Sequence, residues 1–429
     1  MSSRKRVTLI TTLIAVALAT APVPATAGNH QDGAIPTGNV IFIHPDGSSL
    51  AGWNALRMVD AGPDGNIEWD GLEQVGLYRA HVADNLTSSS HAGATIHAYG
   101  VKVPRDSYGM FGQEPLTSLS GKPTSIMMEA RDRGLAVGIV NSGHIAEPGT
   151  GVFLSSSPSR RLTDPIAEQI IRSDAEVIFC GGETLLLPEG VRGRHGEGSR
   201  KDGLNLIEIA ENNGYAIVYD REELMQLPVT ADKVLGVFAA YHTFNDEPEE
   251  RLAEENLPLY GDGAPSVAEM TRAALAILSR SDRRFLLVVE EEGSDNFANN
   301  NNAAGTIEAL RRADAAIGVA RRFYLDHANT LILTAADSNA GGMQVVGVDD
   351  PRYFDTLPPR FENGSPVDGI RGTGTAAFTA APDRFGNRLR FAVCWATSYD
   401  VSGGVVARAH GLNADKLPMQ TDNTDIYRV

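Results

Sequence analysis

The chain has 429 residues, a formal net charge of −17 and 42% hydrophobic residues, enough length for a sizeable core and, in α/β enzymes, often for one large domain with insertions. An acidic balance of this size argues against nucleic acid or an anionic membrane surface as partner, since both demand a basic patch. A phosphate substrate stays possible, because bound cations reverse the local sign.

Taken in order, the chain opens like an export signal: Arg4-Lys5-Arg6, an apolar stretch from about Val7 to Ala21, then Ala25-Thr26-Ala27 as a small-residue cleavage site. The apolar run is shorter than the ~20 residues a membrane span needs. The reading is therefore a signal peptide over 1–27, a mature chain starting near Gly28 with net charge −20, and no membrane contact after cleavage. Strand-like and helix-like stretches then alternate: strand over 39–44, helix 124–133, strand 135–140, helix 164–173, strand 176–180, helix 204–213, strand 215–219. Ser266-Val267-Ala268-Glu269 has the spacing of a capping box and opens a helix to about Leu278. A buried strand follows at 285–289, then a long helix over 306–325 and a strand over 330–334. No internal repeat or linker divides 28–429, so one domain is expected. The alternation predicts an α/β fold with a largely parallel central sheet, helices on both faces and a ligand site outside the carboxyl ends of the strands. Residues 349–388, rich in Pro, Gly and Arg, read as an irregular insertion. Cys180 and Cys394 sit in apolar runs, look like buried strand residues and have no motif spacing that predicts a disulfide.

Three stretches carry polar groups to strand ends. The first is His44-Pro45-Asp46-Gly47; alone, an Asp-Gly after a strand is most often a turn. The second is Ser88-Ser89-Ser90-His91-Ala92-Gly93, where small residues and a hydroxyl at a helix start admit a phosphoryl group or simply cap the helix. The third follows Phe285–Val289: Glu290-Glu291-Glu292-Gly293-Ser294-Asp295, then Asn299 to Asn302. Carboxylates gathered at the end of a buried strand either repel one another or hold a cation, and asparagines add oxygen ligands of the kind hard cations prefer.

These residues resemble the alkaline phosphatases, from Asn39 to about Gly411. Asp46-Gly47 matches the family's Asp-Gly after the first strand, and Gly100-Val101-Lys102 matches the end of its nucleophile helix. Counting back from that ending puts the nucleophilic serine at Ser90, with Ser89, which stands where the family has aspartate, as the alternative. Glu147-Pro148-Gly149-Thr150 is similar to the third-metal segment, with Glu147 in the acidic position, Gly149 in the threonine position and Thr150 as a substitute. Counting on reaches Arg160, the place of the phosphate-holding arginine, whose planar donors match two phosphate oxygens. The same register assigns Glu290, Asp295 and Asn299 to metal positions. The family's Thr-Ala-Asp-His becomes Ala335-Ala336-Asp337-Ser338, and its last histidine aligns with Asp400.

Histidine is thus missing at 299, 338 and 400. The family implies zinc and magnesium, but Asp46, Glu147, Glu290, Asp295, Asn299, Asp337, Ser338 and Asp400 offer oxygen alone, which suits magnesium, calcium or manganese. His44, His91 and His410 could move in, although each reads first as a packed or hydrogen-bonded residue. The resemblance implies a secreted or periplasmic phosphomonoesterase acting on phosphate monoesters through a phosphoserine, and a possible homodimer. Alternatives are a catalytically silent phosphate- or cation-binding protein and a diesterase or sulfatase of related architecture. The sulfatase version needs a Cys/Ser-x-Pro-x-Arg setting, which neither cysteine has.

Overall fold

The central strands are near-continuous apolar runs because both of their faces are covered, as parallel strands require. In β1 (Asn39–Pro45), Ile41 and Ile43 pack to one side of the sheet and Phe42 to the other. In β7 (Phe285–Glu291), Leu287 and Val289 oppose Leu286 and Val288 in the same way. Each such side chain contributes roughly 1.5–3 kcal/mol on burial.

The computed structural model describes residues 36–347, 353 and 355–429, so the expected signal peptide over 1–27 lies outside the described residues. Residues Thr37–Val429 form one compact unit. The remaining strands are β2 (Gln74–Arg79), β3 (Ala136–His144), β4 (Val177–Gly181), β5 (Ala216–Val218), β6 (Val234–Val237), β8 (Thr330–Thr334), β9 (Gln344–Val346), β10 (Val367–Gly369), β11 (Gly372–Thr373), β12 (Phe378–Thr379), β13 (Arg390–Cys394), β14 (Val406–Gly411) and β15 (Gln420–Asp422). The main sheet has ten strands in the order β15-β2-β14-β8-β1-β7-β3-β4-β6-β5. Among them only β14 runs against its neighbours β2 and β8. The expected mixed α/β fold with a mostly parallel sheet is therefore what the chain forms.

Helices cover both faces. On one lie α1 (Leu50–Asp60), α9 (Val267–Leu278) and α11 (Ala303–Asp326); on the other lie α2 (Ser90–Tyr99), α3 (Ile126–Asp132), α5 (Thr163–Ile171) and α6 (Leu206–Asn212). The capping box forms as its spacing predicts: Ser266 Oγ accepts from Glu269 N, and the Glu269 carboxylate accepts from Ser266 N at 3.0 Å.

The 349–388 stretch departs from expectation. It contributes β10, β11 and β12 to a second, five-stranded sheet, in which β13 pairs antiparallel with β9, β10 and β12. Strands of two or three residues are too short to show alternation, which is why the composition reads as irregular. Residues 348–352 and 354 lie outside the description. Cys180 is buried in β4, Cys394 is half-buried in β13, and both are free thiols.

Register sets the site. β1 lies between β8 and β7, and His44 stands level with Glu290, which in turn stands level with Asn141 of β3. The carboxyl ends of β8, β1, β7 and β3 thus form one edge, from which the following turns carry Asp337, Asp46, Glu292 and Glu147.

Candidate active site

Three adjacent serines have three different fates. Ser89 is the N-cap of α2: its hydroxyl accepts from Ala92 N at 3.3 Å and donates to Arg105 O at 2.6 Å. Ser88 is buried and donates to the Ser89 carbonyl at 3.0 Å. Ser90 is the first residue of the helix and stands beside the Asp46 carboxylate, which it helps to hold below the usual carboxylate range. The small residues that follow let the first helical turn touch the acidic edge: a Cβ on Gly93 would stand 2.3 Å from Asp337 Cβ.

The turn after β1 needs glycine twice over. Gly47 has φ +62°, and a Cβ there would stand 2.5 Å from Asp295 Oδ1. Its N–H donates to Asp46 Oδ1 at 2.8 Å. At the end of β7 the two-residue period separates Glu290 from Glu291, and Glu292 follows just beyond the strand. Glu291 faces Ser142 Oγ at 2.7 Å and Tyr260 OH at 2.8 Å, whereas Glu290 and Glu292 face Asp46.

This edge has a deficit of donors. Asp46 Oδ2, Glu290 Oε1, Glu292 Oε2, Asp295 Oδ1, both Asp337 oxygens and Ser338 Oγ are buried with no hydrogen-bond partner among the described residues. Burial first, and then the charges of Asp46 and Glu147, push Glu290 up to about 8, against the pull of the His44 charge. Glu292, Asp295, Asp337 and Asp400 are also driven above the usual carboxylate range, by burial first and by neighbouring carboxylates second. Burial would raise Asp46, but the neighbouring Asp337, the His44 ring and its charge hold it below the usual carboxylate range. Oxygens of Asp46, Glu290 and Glu292 lie within 4.8 Å of one another, as do donor atoms of His44, Asp46 and Asp337. Buried carboxylates without donors are groups that a divalent cation would satisfy, so the residues fit the metal the resemblance implies.

Arg160 stands beside this edge and is held by Glu147, whose Oε2 accepts from Arg160 Nη2 at 3.0 Å. The other oxygen of Glu147 lies 2.9 Å from His144 Nε2. His144 Nδ1 accepts from Ala146 N at 3.1 Å, so in the neutral ring the proton sits on Nε2 and is given to Glu147. Burial would raise the Glu147 carboxyl, but the charges of His144 and Arg160 hold it down at about 2. His242 Nε2 lies 3.9 Å from Glu147 Oε1, its ring stacked on His144, and burial pushes it down to about 4. His91 follows Ser90 and is also lowered to about 4, by burial and then by the Arg160 charge.

Ser90, Asp46, Glu290, Asp295, Asp337, Ser338, Asp400, Asn299, Glu147 and Arg160 all reach this edge, but three expected roles change. Asn299 accepts from Gly341 N through Oδ1 at 3.0 Å, which turns its amide nitrogen inward to Asp295 Oδ2 at 3.0 Å and Asp400 Oδ1 at 3.2 Å. It therefore presents a donor, not the expected oxygen, to those carboxylates. Glu147 is engaged through both oxygens, and it stands with His144 and His242 as a cluster whose donor atoms lie within 4.8 Å of one another and could hold a cation with imidazole in the set. Thr150, the expected substitute, is tied to β3, its Oγ1 accepting from Asn141 Nδ2 at 2.8 Å. The threonine position itself is closed: a Cβ at Gly149 would meet Glu290 Oε1 at 1.9 Å.

Three participants, Glu292, His144 and His242, have no assigned role in the sequence. Glu292 could have been found from its two-residue spacing to Glu290. His44, one of the histidines that could move in although it reads first as packed, lies in the site. His144 and His242 meet only through folding, and nothing in their spacing announces them. His410 lies elsewhere, against Tyr324 and Glu73. Among the described residues no helix is long and apolar enough to cross a membrane.

Comparison with known proteins identifies the family and the fold. The sequence model of the family described as alkaline phosphatase matches residues 37–354. The alkaline phosphatase of Escherichia coli (strain K12) is 25% identical, over 91% of this chain and 85% of that protein. Streptomycin-6-phosphate phosphatase of Streptomyces griseus is 26% identical, over 75% and 77%. Among solved structures, the alkaline phosphatase of Thermus thermophilus superposes with a TM-score of 0.70 at 21% identity, covering 96% of this chain and 94% of that one. The enzyme from the Antarctic bacterium TAB5 gives 0.68 at 19% identity, covering 91% and 97%.

Proposed function

Since the chain belongs to the alkaline phosphatase family, we propose that it is a metal-dependent phosphomonoesterase that works through a phosphoserine on Ser90. One observation carries the reading: Ser90 stands beside Asp46 at a strand edge shared with Arg160 and with a set of buried carboxylates that lack donors. Cations held by Asp46, Glu290, Glu292, Asp295 and Asp337, with Asp400 and Ser338 beside them, would stabilise the Ser90 alkoxide and neutralise phosphoryl charge. Ser90 gives up its hydroxyl proton to solvent water, since Asp46, held well below the usual carboxylate range, is a poor base, and the oxygen lone pairs are then free for phosphorus. Ser90 Oγ forms the new P–O bond in line, the ester P–O bond breaks and the alcohol departs with a proton from water. A water molecule then attacks the phosphoserine and releases inorganic phosphate. Arg160, kept cationic and oriented by Glu147, binds the equatorial oxygens whose charge grows in the transition state. The export signal read over 1–27 supports a periplasmic or secreted site of action.

The test is a metal-stripped preparation assayed on an aryl phosphate, with zinc, magnesium, calcium and manganese restored one at a time. Turnover should return with at least one metal and fall by at least about a thousandfold in Ser90→Ala. Full activity in Ser90→Ala would overturn the nucleophile assignment. The missing histidines at 299, 338 and 400 favour a second reading, a protein that binds phosphate or a cation without turnover. Silence under every metal would favour that one.

A further inference from the structure

We propose that His44 is a metal ligand, and that its Nε2, together with carboxylate oxygens of Asp46 and Asp337, holds a borderline transition-metal cation of the zinc or cobalt class. The inference rests on the reading of this edge as a cation site and adds an imidazole to a donor set that the sequence presents as oxygen alone.

The tautomer comes first. His44 is fully buried, and its Nδ1 lies 2.8 Å from the Ala335 carbonyl oxygen, which can only accept. Nδ1 therefore carries the proton, and in the neutral ring Nε2 carries a lone pair. A backbone carbonyl on the far nitrogen is the usual support of a metal-binding imidazole. The position is fixed as well: Ala335 directly follows β8, the strand paired with β1, and the His44 ring packs edge-on to His97 with centroids 5.5 Å apart.

The geometry comes second. His44 Nε2 lies 3.3 Å from Asp46 Oδ1 and has no hydrogen-bond partner among the described residues. Two ligands about 2.0–2.1 Å from a tetrahedral ion stand about 3.3 Å apart. Both Asp337 oxygens also lack partners, and the three donor atoms fall within 4.8 Å of one another. A plain imidazolium–Asp46 pair would leave Asp337 unanswered; one cation answers all three. Imidazole nitrogen favours zinc or cobalt over magnesium or calcium. Ser338, whose buried Oγ also lacks a partner, stands where the family's Thr-Ala-Asp-His has its imidazole. His44 returns that ring from the neighbouring strand.

The experiment uses the full chain, stripped of metal and loaded with one equivalent of Co2+ or Zn2+. X-ray absorption of the loaded protein should show imidazole in the first shell. His44→Ala should lose that signal and bind Co2+ at least about tenfold more weakly by calorimetry, with Mg2+ affinity changed less than about threefold. An oxygen-only shell in the unaltered protein, or unchanged Co2+ binding in His44→Ala, overturns the proposal. Should His44→Ala fail to fold by circular dichroism, the double variant His144→Ala/His242→Ala decides. Imidazole retained there supports His44, and imidazole lost assigns the metal to the Glu147 cluster and overturns it. No substrate is needed, so a protein that binds cobalt through His44 yet hydrolyses nothing would sink the phosphatase reading and leave this inference intact.

Discussion

Glu147 spends one oxygen on His144 and the other on Arg160, and this commitment decides what the residue can do. Removing its charge should loosen the arginine before it disturbs any cation. Glu147→Gln is expected to raise KM for an aryl phosphate about three- to tenfold, the size of a charge-assisted hydrogen bond discounted for the partial exposure of Arg160. Steady-state kinetics checks the rise, and calorimetry should find cation stoichiometry unchanged; loss of a bound cation would return Glu147 to the ligands. At this scale the sequence was legible in residue type and blind in orientation. Asp46, Glu290, Asp295 and Asp337 could be named from strand ends and the family register, because those positions have few places to point. Asn299 could not be read correctly, since whether oxygen or nitrogen faces inward depends on the Gly341 N–H, which arrives from another turn. His44 reads first as a packed residue for the same reason: Ala335, the residue that fixes its tautomer, lies 291 positions away.

The long helix α11 begins where the site ends. Asn302 caps it, with Oδ1 accepting from Gly305 N at 2.6 Å, while its Nδ2 reaches Glu247 O at 2.9 Å. The short helix α10 (Gly293–Asn299), which carries Asp295 and Asn299, lies against that first turn: a Cβ on Gly305 would meet Phe297 at 2.5 Å. Asn302→Ala should therefore lower stability by about 1–2 kcal/mol through the lost cap, measured by denaturant unfolding. A change within experimental error would show that packing alone holds the helix start. Elements of this kind were legible where periodicity is long or chemistry is local. The capping box at Ser266, the 3.6-residue pattern of α9 and α11 and the apolar run of β7 all declare themselves. The β10–β13 sheet does not, because its strands exist only through pairing partners and not through any pattern of their own.

Across the molecule, the buried carboxylates tie stability to pH. Glu290, Glu292, Asp295, Asp337 and Asp400 have folded-state pKa values raised above the unfolded range, by burial first and mutual repulsion second. A raised carboxyl stabilises the fold fully below its unfolded pKa of about 4, and that contribution is lost as pH climbs through the folded value, about 8 for Glu290. Asp46 and Glu147, which are lowered, lose theirs on acidification instead. The metal-stripped protein should thus melt at lower temperature as pH rises from about 5 to about 9, and saturating cation should flatten the curve, since binding at a hundredfold over Kd adds about 2.7 kcal/mol. Calorimetry at several pH values checks this; a stripped protein that gains stability toward alkaline pH would contradict it. The position of β1 between β7 and β8 has a further consequence for biosynthesis. β1 is made first, yet both of its partners lie more than two hundred positions downstream, and contacts of such sequence separation close late. A ribosome-bound chain has no assembled cation site, so the metal is drawn from whatever surroundings the chain occupies when folding finishes, not from those in which translation began.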